Sequence, residues 1–228
     1  LIFGVLPYVV IAVLILGSLA RFVLAPFSWK SQSSEILDKK DIFWGANLFH
    51  IGVIFLFCGH CFGLFTPTEW LNAAGLTPRL HQMMEIICGG LSAIVAITGL
   101  IILTWRRLTN ERVRAASRPS DFWVLFLLLA VIILGIGCVV NSYLYDKSGA
   151  TIILLGGWVR GLFSFDYQAW QNILLVPDWQ KGHIFVGLII FLIVPFTRLV
   201  HIWSGYLSVF YLIRPHQIMR ANNGKPMK

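Results

Sequence analysis

Four histidines lie inside two of the most apolar stretches of this chain. His50 and His60 belong to a stretch that has no Asp, Glu, Lys or Arg from Ile42 to Thr68, and His183 and His201 belong to the last apolar stretch. An ionisable side chain at membrane depth is costly, so it is rare there without a function. Imidazole is the commonest protein ligand of metals and an axial ligand of haem iron. Two histidines on each of two stretches therefore predict two metal centres held between two helices.

The composition indicates that these stretches cross a membrane. The 228 residues are 57% hydrophobic and only 12% charged, with a mean hydropathy of +0.78, whereas a soluble domain carries about 25% charged residues. Five apolar segments are near or above the roughly 20 residues that a helix needs to cross a bilayer. We therefore predict a single all-α integral membrane domain over residues 1–228, with five transmembrane helices at about 3–24, 43–65, 80–105, 121–144 and 182–206.

The basic residues are distributed unevenly over the loops. The loop at 106–118 carries five arginines, whereas the loop at 66–79 carries one basic residue, Arg79. Loops rich in Lys and Arg stay in the cytoplasm, so the N-terminus is predicted outside and a tail at 207–228 inside. The net charge of +8 is then a topology signal that also attracts anionic lipid, and no nucleic-acid partner is expected. A short apolar run at 148–159 is expected to lie along the membrane interface or in a loop.

The predicted helix directions determine which histidines can meet. The second helix runs outward and the fifth inward, which pairs His60 with His183 near the outer side and His50 with His201 near the inner side. Along ideal helices roughly 15 Å separate His50 from His60, and roughly 27 Å separate His183 from His201, which share one face after five turns. Two bis-histidine haems are the preferred interpretation, and they would be non-covalent because no C-x-x-C-H motif occurs. The alternatives are hydrogen bonds between helices and a zinc cluster, which the distance between the pairs disfavours.

Three further residues are candidates for haem contacts. Gly52 and Gly63 would let a porphyrin approach the second helix, although small residues also serve ordinary helix packing. Arg198 lies one turn before His201 and is a candidate partner of a haem propionate, with anchoring at the membrane surface as the alternative.

A quinol site is predicted near the outer histidine pair. His81 and Glu85 lie one turn apart at the outer start of the third helix. They could accept protons from a quinol, or they could anchor the helix at the interface. Gly59 and His60 converge on the same place in the predicted topology, so Gly59 is included in the candidate site.

Several motifs resemble the gamma subunit of respiratory nitrate reductase. They are N-L-F-H-I-G at 47–52, G-H-x-F-G at 59–63, P-F-T-R-L-V-H-I-W-S at 195–204, S-S-E-I-L-D-K-K at 33–40 and R-V-R-A at 112–115. The resemblance covers essentially the whole chain. It implies a five-helix cytochrome b of the bacterial inner membrane with two haems b, whose ligands are His50, His60, His183 and His201. It also implies oxidation of ubiquinol or menaquinol near the outer haem, where the family has a lysine and this chain has His81.

The resemblance also implies partner subunits on the cytoplasmic face. They are an iron–sulfur beta subunit, which receives the electrons, and a molybdenum-containing alpha subunit, which reduces nitrate. This chain itself has no motif for either cofactor. Two other functions remain open. One is a homologous cytochrome b in another redox complex, handling sulfur compounds or nitrite, and the other is a non-redox membrane anchor or proton channel.

Overall fold

The computed structural model of this chain describes residues 2–25, 28 and 42–203, and all regular elements in those ranges are helical. Two 3₁₀ turns, at Val194–Phe196 and Arg198–Val200, follow α10 (Asp178–Ile193), and residues 201–203 after them are again α-helical. A π-helical segment, Glu85–Gly89, joins α4 to α5. The α-helices are α1 (Leu6–Leu24), α2 (Ile42–Phe65), α3 (Thr68–Ala73), α4 (Pro78–Met84), α5 (Gly90–Thr109), α6 (Glu111–Ala115), α7 (Pro119–Tyr145), α8 (Ala150–Phe163), α9 (Gln171–Leu174) and α10 (Asp178–Ile193).

Within the described residues, five helical spans are long and apolar enough to cross a membrane, which confirms the predicted class of fold. They are Leu6–Leu24, Ile42–Phe65, Pro78–Thr109, Pro119–Tyr145 and Asp178–Phe196. The side of the membrane on which each end lies stays a prediction, and the predicted cytoplasmic tail at 207–228 lies outside the described residues.

Helices α2 and α5 approach each other closely because glycine stands at their points of contact. A Cβ atom on Gly52 would lie 2.5 Å from the backbone nitrogen of Ala96, and a Cβ atom on Gly99 would collide with the backbone nitrogen of Phe49. Ala96 and the neighbouring Leu100 are fully buried. Small residues allow this close packing in membrane helices.

We expect Gly52→Ala to lower the free energy of unfolding by about 1–3 kcal/mol, because the added methyl group meets backbone that cannot move aside. Thermal unfolding of the purified protein measures this effect. Gly90→Ala is the matched control, since its Cβ would lie 3.8 Å from Val139 Cγ1, an ordinary contact. Equal unfolding temperatures for the two variants would contradict the importance of close packing at Gly52.

Helix α8 occupies most of 148–159, so the predicted loop is wrong there, while a position along the membrane interface stays a prediction. The helix packs against α2 and holds the start of α1 through two hydrogen bonds. The Trp158 indole donates to the Phe3 carbonyl at 2.8 Å, and the Tyr8 hydroxyl donates to the Leu162 carbonyl at 3.0 Å. The run was too short to be predicted as a transmembrane helix, but Ile152, Trp158 and Leu162 are buried.

Asp146 fixes the turn between α7 and α8. Its carboxylate accepts hydrogen bonds from the backbone N–H groups of Ser148, Gly149 and Thr151 at 3.0, 2.9 and 2.9 Å. Burial opposes ionisation of this carboxyl group, but the hydrogen bonds outweigh burial and hold the pKa of Asp146 below its ordinary value. A charged carboxylate therefore caps the start of α8.

The last transmembrane segment is interrupted, so the prediction of one continuous helix at 182–206 is wrong. The regular α-helix ends at Ile193, and Thr197 between the two 3₁₀ turns is extended, with φ −120° and ψ −177°. Pro195 explains the interruption, because proline has no N–H group and its ring clashes with the preceding turn. His183 and His201 therefore do not lie on one continuous helix face.

Arg21 of α1 compensates for the interruption. Its Nη1 atom donates to the carbonyl oxygens of Pro195 and Thr197, both at 2.7 Å. Backbone groups without partners are costly in a bilayer. The arginine at the end of α1 thus stabilises the segment that leads to His201.

Candidate functional site

The structure brings the four histidines together as two pairs. The ring centroids of His60 and His183 are 6.0 Å apart, and those of His50 and His201 are 6.2 Å apart. Helix α2 supplies one member of each pair, while α10 and the segment after it supply the other. These are called the 60/183 pair and the 50/201 pair below.

All four imidazoles are oriented by the same kind of hydrogen bond. A carbonyl oxygen can only accept, so each Nδ1 atom carries the hydrogen and each Nε2 atom keeps its lone pair. Histidines that bind metals are usually oriented in this way. The Nδ1 donors and carbonyl acceptors are His50 and Ala46 (2.7 Å), His60 and Leu56 (2.7 Å), His183 and Val131 (2.9 Å), and His201 and Arg198 (2.6 Å).

The spacing within each pair fits a metal ion between the two rings. An imidazole nitrogen binds a metal at about 2 Å and lies roughly 1 Å from its ring centroid, so two rings on opposite sides of one ion have centroids roughly 6 Å apart. Among residues 2–25, 28 and 42–203, no three His, Cys, Asp or Glu side chains are grouped so that they could hold a metal ion. Each pair could hold one haem iron between its two imidazoles. The residues therefore fit two haems.

A cavity of about 330 Å³ is lined by both histidines of the 60/183 pair, so a haem held between them would occupy part of it. Its lining is largely apolar and includes Phe55, Ile132, Val139 and Trp158. His81, Glu85 and Gly59 line the same cavity, so the structure brings the three predicted quinol-site residues together. A Cβ atom on Gly59 would meet nothing within 4 Å. An apolar cavity with a few polar groups is typical of a small-molecule site.

His81 is the most buried of the polar residues predicted at this site. Its exposed fraction is 4%, and its Nε2 atom lies 3.9 Å from Glu85 Oε1. That nitrogen has no hydrogen-bond partner within the part of the chain that the structure describes. A buried polar atom of this kind indicates a ligand or a water molecule that completes the site.

Two further features lie next to His81: a π-helical segment that begins at Glu85, and a second, smaller cavity. Glu85 begins the π-helical segment, and such segments are frequent at functional sites. The second cavity, of about 10 Å³, is lined by His81, Thr66, Thr68 and Arg160 among others. This volume suits about one water molecule.

Two glycines predicted to face a porphyrin have other neighbours. Gly52 faces Ala96 of α5, and a Cβ atom on Gly63 would collide with Glu85 Oε1. The packing alternative is therefore supported for Gly52, while Gly63 leaves room for the Glu85 side chain. The prediction that these two residues admit a porphyrin therefore has no support in their positions. The sequence alone could not show which neighbour each glycine faces.

Arg198 forms an ion pair inside the protein. Its Nε atom lies 2.7 Å from Asp121 Oδ1, and the prediction of a propionate partner stays a prediction. Asp121 was not among the predicted site residues. Asp121 could have been predicted as a functional residue because it is a carboxylate at the start of an apolar helix, and such residues are rare in membrane spans.

The chain is similar to known proteins over nearly its whole length. The family model described as nitrate reductase gamma subunit matches residues 1–222. The respiratory nitrate reductase 2 gamma chain of Escherichia coli (strain K12) is 36% identical over 219 residues, which cover 96% of this chain and 95% of that protein. The nitrate reductase gamma chain of Bacillus subtilis (strain 168) is 35% identical over 224 residues, which cover 98% of each chain.

A more distant relative is a longer protein. The nitrate reductase-like protein NarX of Mycobacterium tuberculosis (strain H37Rv) is 28% identical over 224 residues, but the match covers 33% of that protein. Together with the five apolar helices, the gamma chains indicate a multi-pass protein of the bacterial inner membrane. The chain belongs to the nitrate reductase gamma subunit family, the membrane cytochrome b subunits of nitrate reductase complexes.

Proposed function

We propose that this chain is the quinol-oxidising subunit of a nitrate reductase complex and that it holds two haems b. The observation that carries the proposal is the pair of histidine sites, each with rings 6.0–6.2 Å apart and with every Nδ1 atom donating to a carbonyl group. When bound, each haem supplies one-electron redox chemistry. The family membership supports nitrate reductase over another redox complex.

Quinol is oxidised at the His81 side of the cavity that the 60/183 pair also lines. Oxidation of one quinol breaks two O–H bonds and releases two protons and two electrons, so the site needs an apolar slot, a proton acceptor and a nearby electron acceptor. The Nδ1 atom of His60 already donates to Leu56, and its Nε2 atom is reserved for iron. His81 has an Nε2 atom without a partner in the described residues, and Glu85 lies beside it.

The small cavity that His81 lines supports a route by which the released protons leave the quinol site. It adjoins Thr66, Thr68 and Arg160, and the predicted topology puts this end of the protein on the outer side. Arg160 donates to the carbonyl oxygens of Leu64 and Thr66 at 3.2 and 3.1 Å, so it also caps the end of α2. Protons would leave outward while the electrons leave at the opposite end of the chain, which contributes to the proton motive force.

The 50/201 end delivers electrons to a partner on the cytoplasmic side. Gamma chains are named as parts of larger enzymes, and we propose an iron–sulfur beta subunit as the neighbour, with a molybdenum-containing alpha subunit beyond it. Exposed arginines between α5 and α7, Arg112, Arg114 and Arg118, provide a basic surface for docking. The predicted cytoplasmic tail at 207–228 would lie on the same side, but it falls outside the described residues.

We expect the double variant Arg112→Glu and Arg114→Glu to lower the recovery of attached subunits by roughly tenfold, because reversed charges oppose a complementary acidic surface. Co-purification with the tagged chain measures this, and haem content should not change. The control is Lys147→Glu, an exposed residue at the other end of α7. Equal recovery from the double variant and the control would contradict docking at this surface.

Anaerobic spectroscopy of the intact complex tests the proposed function. Added quinol should produce a reduced b-type spectrum, and nitrate should then reoxidise it only while the partner subunits are attached. Reoxidation by nitrite or a sulfur compound, but not by nitrate, would assign the chain to another complex. A preparation without any reducible haem signal would leave the anchor or proton-channel function.

A further inference from the structure

Asp121 joins three segments of the chain near the 50/201 pair. Its Oδ1 atom lies 2.7 Å from Arg198 Nε, and its Oδ2 atom accepts hydrogen bonds from Arg107 Nη1 at 3.1 Å and from the backbone N–H of Arg118 at 2.8 Å. The side chain is only 5% exposed. Because Oδ2 accepts two hydrogen bonds and Oδ1 makes the ion-pair contact with Arg198, the carboxylate is held in one orientation.

Arg198 connects this carboxylate to a histidine of the candidate haem site. While its guanidinium group pairs with Asp121, its own carbonyl oxygen accepts the hydrogen of His201 Nδ1 at 2.6 Å. The orientation of the His201 ring therefore depends on where the backbone of Arg198 lies. That backbone belongs to the 3₁₀ turn after the interruption of the last transmembrane segment.

His201 needs such support because it follows the interruption and begins the α-helical residues 201–203. His50, His60 and His183 are inside the regular helices α2 and α10, where continuous backbone hydrogen bonds fix the positions of the residues. The turn that carries Arg198 lacks this continuity, because Thr197 is extended. Contacts with other helices must hold it, and Asp121 on α7 and Arg21 on α1 make them.

We propose that Asp121 is a positioning residue for the haem at the 50/201 pair, and this proposal rests on the proposed function of that pair as haem ligands. Acting through Arg198, Asp121 fixes the carbonyl group that orients the His201 imidazole, and hydrogen bonding around a ligand tunes the bound metal. Its negative charge also offsets the positive charges of Arg107 and Arg198. Loss of that charge favours the reduced state of a nearby haem and raises its midpoint potential.

The variant Asp121→Asn in the intact complex tests the electrostatic part. Asparagine keeps the size of the side chain and an oxygen for the Arg118 N–H, but it removes the charge. Both haems should remain, while the midpoint potential of the 50/201 haem rises and its low-spin electron paramagnetic resonance signal shifts. The 60/183 haem should keep its wild-type values, and a His50→Ala variant identifies which signal belongs to which pair.

A second set of variants tests the connection through Arg198. Asp121→Ala and Arg198→Gln should each lower haem content from two toward one per chain, with the 60/183 haem retained. The double variant should lose no more than the stronger single variant, because both residues act through one contact. Asn110→Ala is the control, since Asn110 caps α6 at the same end by accepting from Val113 N–H at 3.2 Å, and it should leave both haem signals unchanged.

Three results would overturn the proposal. They are an unchanged 50/201 signal in Asp121→Asn, equal changes in both haems, and additive losses in the double variant. A wild-type complex without haem would instead refute the proposed function, and it would be recognised before any variant is compared.

Discussion

Replacing either His60 or His183 with alanine is expected to remove the same haem and to leave about one haem per chain. The two rings are 6.0 Å apart, so each variant would leave an iron at this position with one axial ligand instead of two. His50→Ala and His201→Ala are expected to remove the other haem, because their rings form the second pair. Haem extraction and the redox spectrum of each variant measure the loss.

The four variants control one another, because each pair should share a phenotype that the other pair lacks. His81→Ala is an additional control, since His81 lies beside the 60/183 pair but is not part of it, and it should retain both haems. If the His60 and His201 variants lost the same haem, the pairing of α2 with the last transmembrane segment would be wrong.

Replacing His81 is expected to slow the reduction of the haems by quinol by about 100-fold or more, which is typical for loss of a general base. His81→Ala removes the imidazole, whereas His81→Gln keeps a side chain that can form hydrogen bonds but cannot act as a base. Both variants should be slow if proton transfer is the function of His81. Glu85→Gln should slow the reaction as well, because it removes the carboxyl group that lies beside His81.

Chemical reduction separates this effect from damage to the haem sites. Dithionite should reduce both haems of each His81 variant as in the wild type, and haem content should be unchanged. Stopped-flow spectroscopy with quinol and with dithionite provides the two rates. Quinol oxidation at the wild-type rate in His81→Ala would move the site elsewhere, first to the aromatic segment at 158–170.

The transmembrane helices and the histidine pairing could be predicted because both depend on long-range regularities of the sequence. Charge-free runs indicate the spans, and alternation of helix direction brings His60 near His183 and His50 near His201. The proximity of His81 and Glu85 follows from their separation by one turn. These predictions stay correct even when the predicted ends of the helices are wrong by a few residues.

The interruption after Ile193 shows what the sequence could not supply. Pro195 is visible in the sequence, but many membrane helices tolerate proline when other groups satisfy the backbone. Here Arg21 and Asp121, which come from two other helices, hold the interrupted segment. Such a contact cannot be deduced from the spacing of residues along one helix.

The cavity that the 60/183 pair lines could not be predicted from the sequence either, because its wall depends on contacts between separate helices. Its wall includes Ile152, Leu155 and Trp158 of α8, a run that the sequence placed along the interface or in a loop. The direction in which Gly52 and Gly63 face was equally hidden, because a glycine has no side chain whose polarity could indicate its neighbour.

The haem content of the purified complex tests the central claim most directly. Acidic organic solvent should extract all of the haem, because no C-x-x-C-H motif is present for covalent attachment. The two histidine pairs predict two haems b per chain. One haem per chain, no haem, or haem that stays attached after extraction would contradict this account.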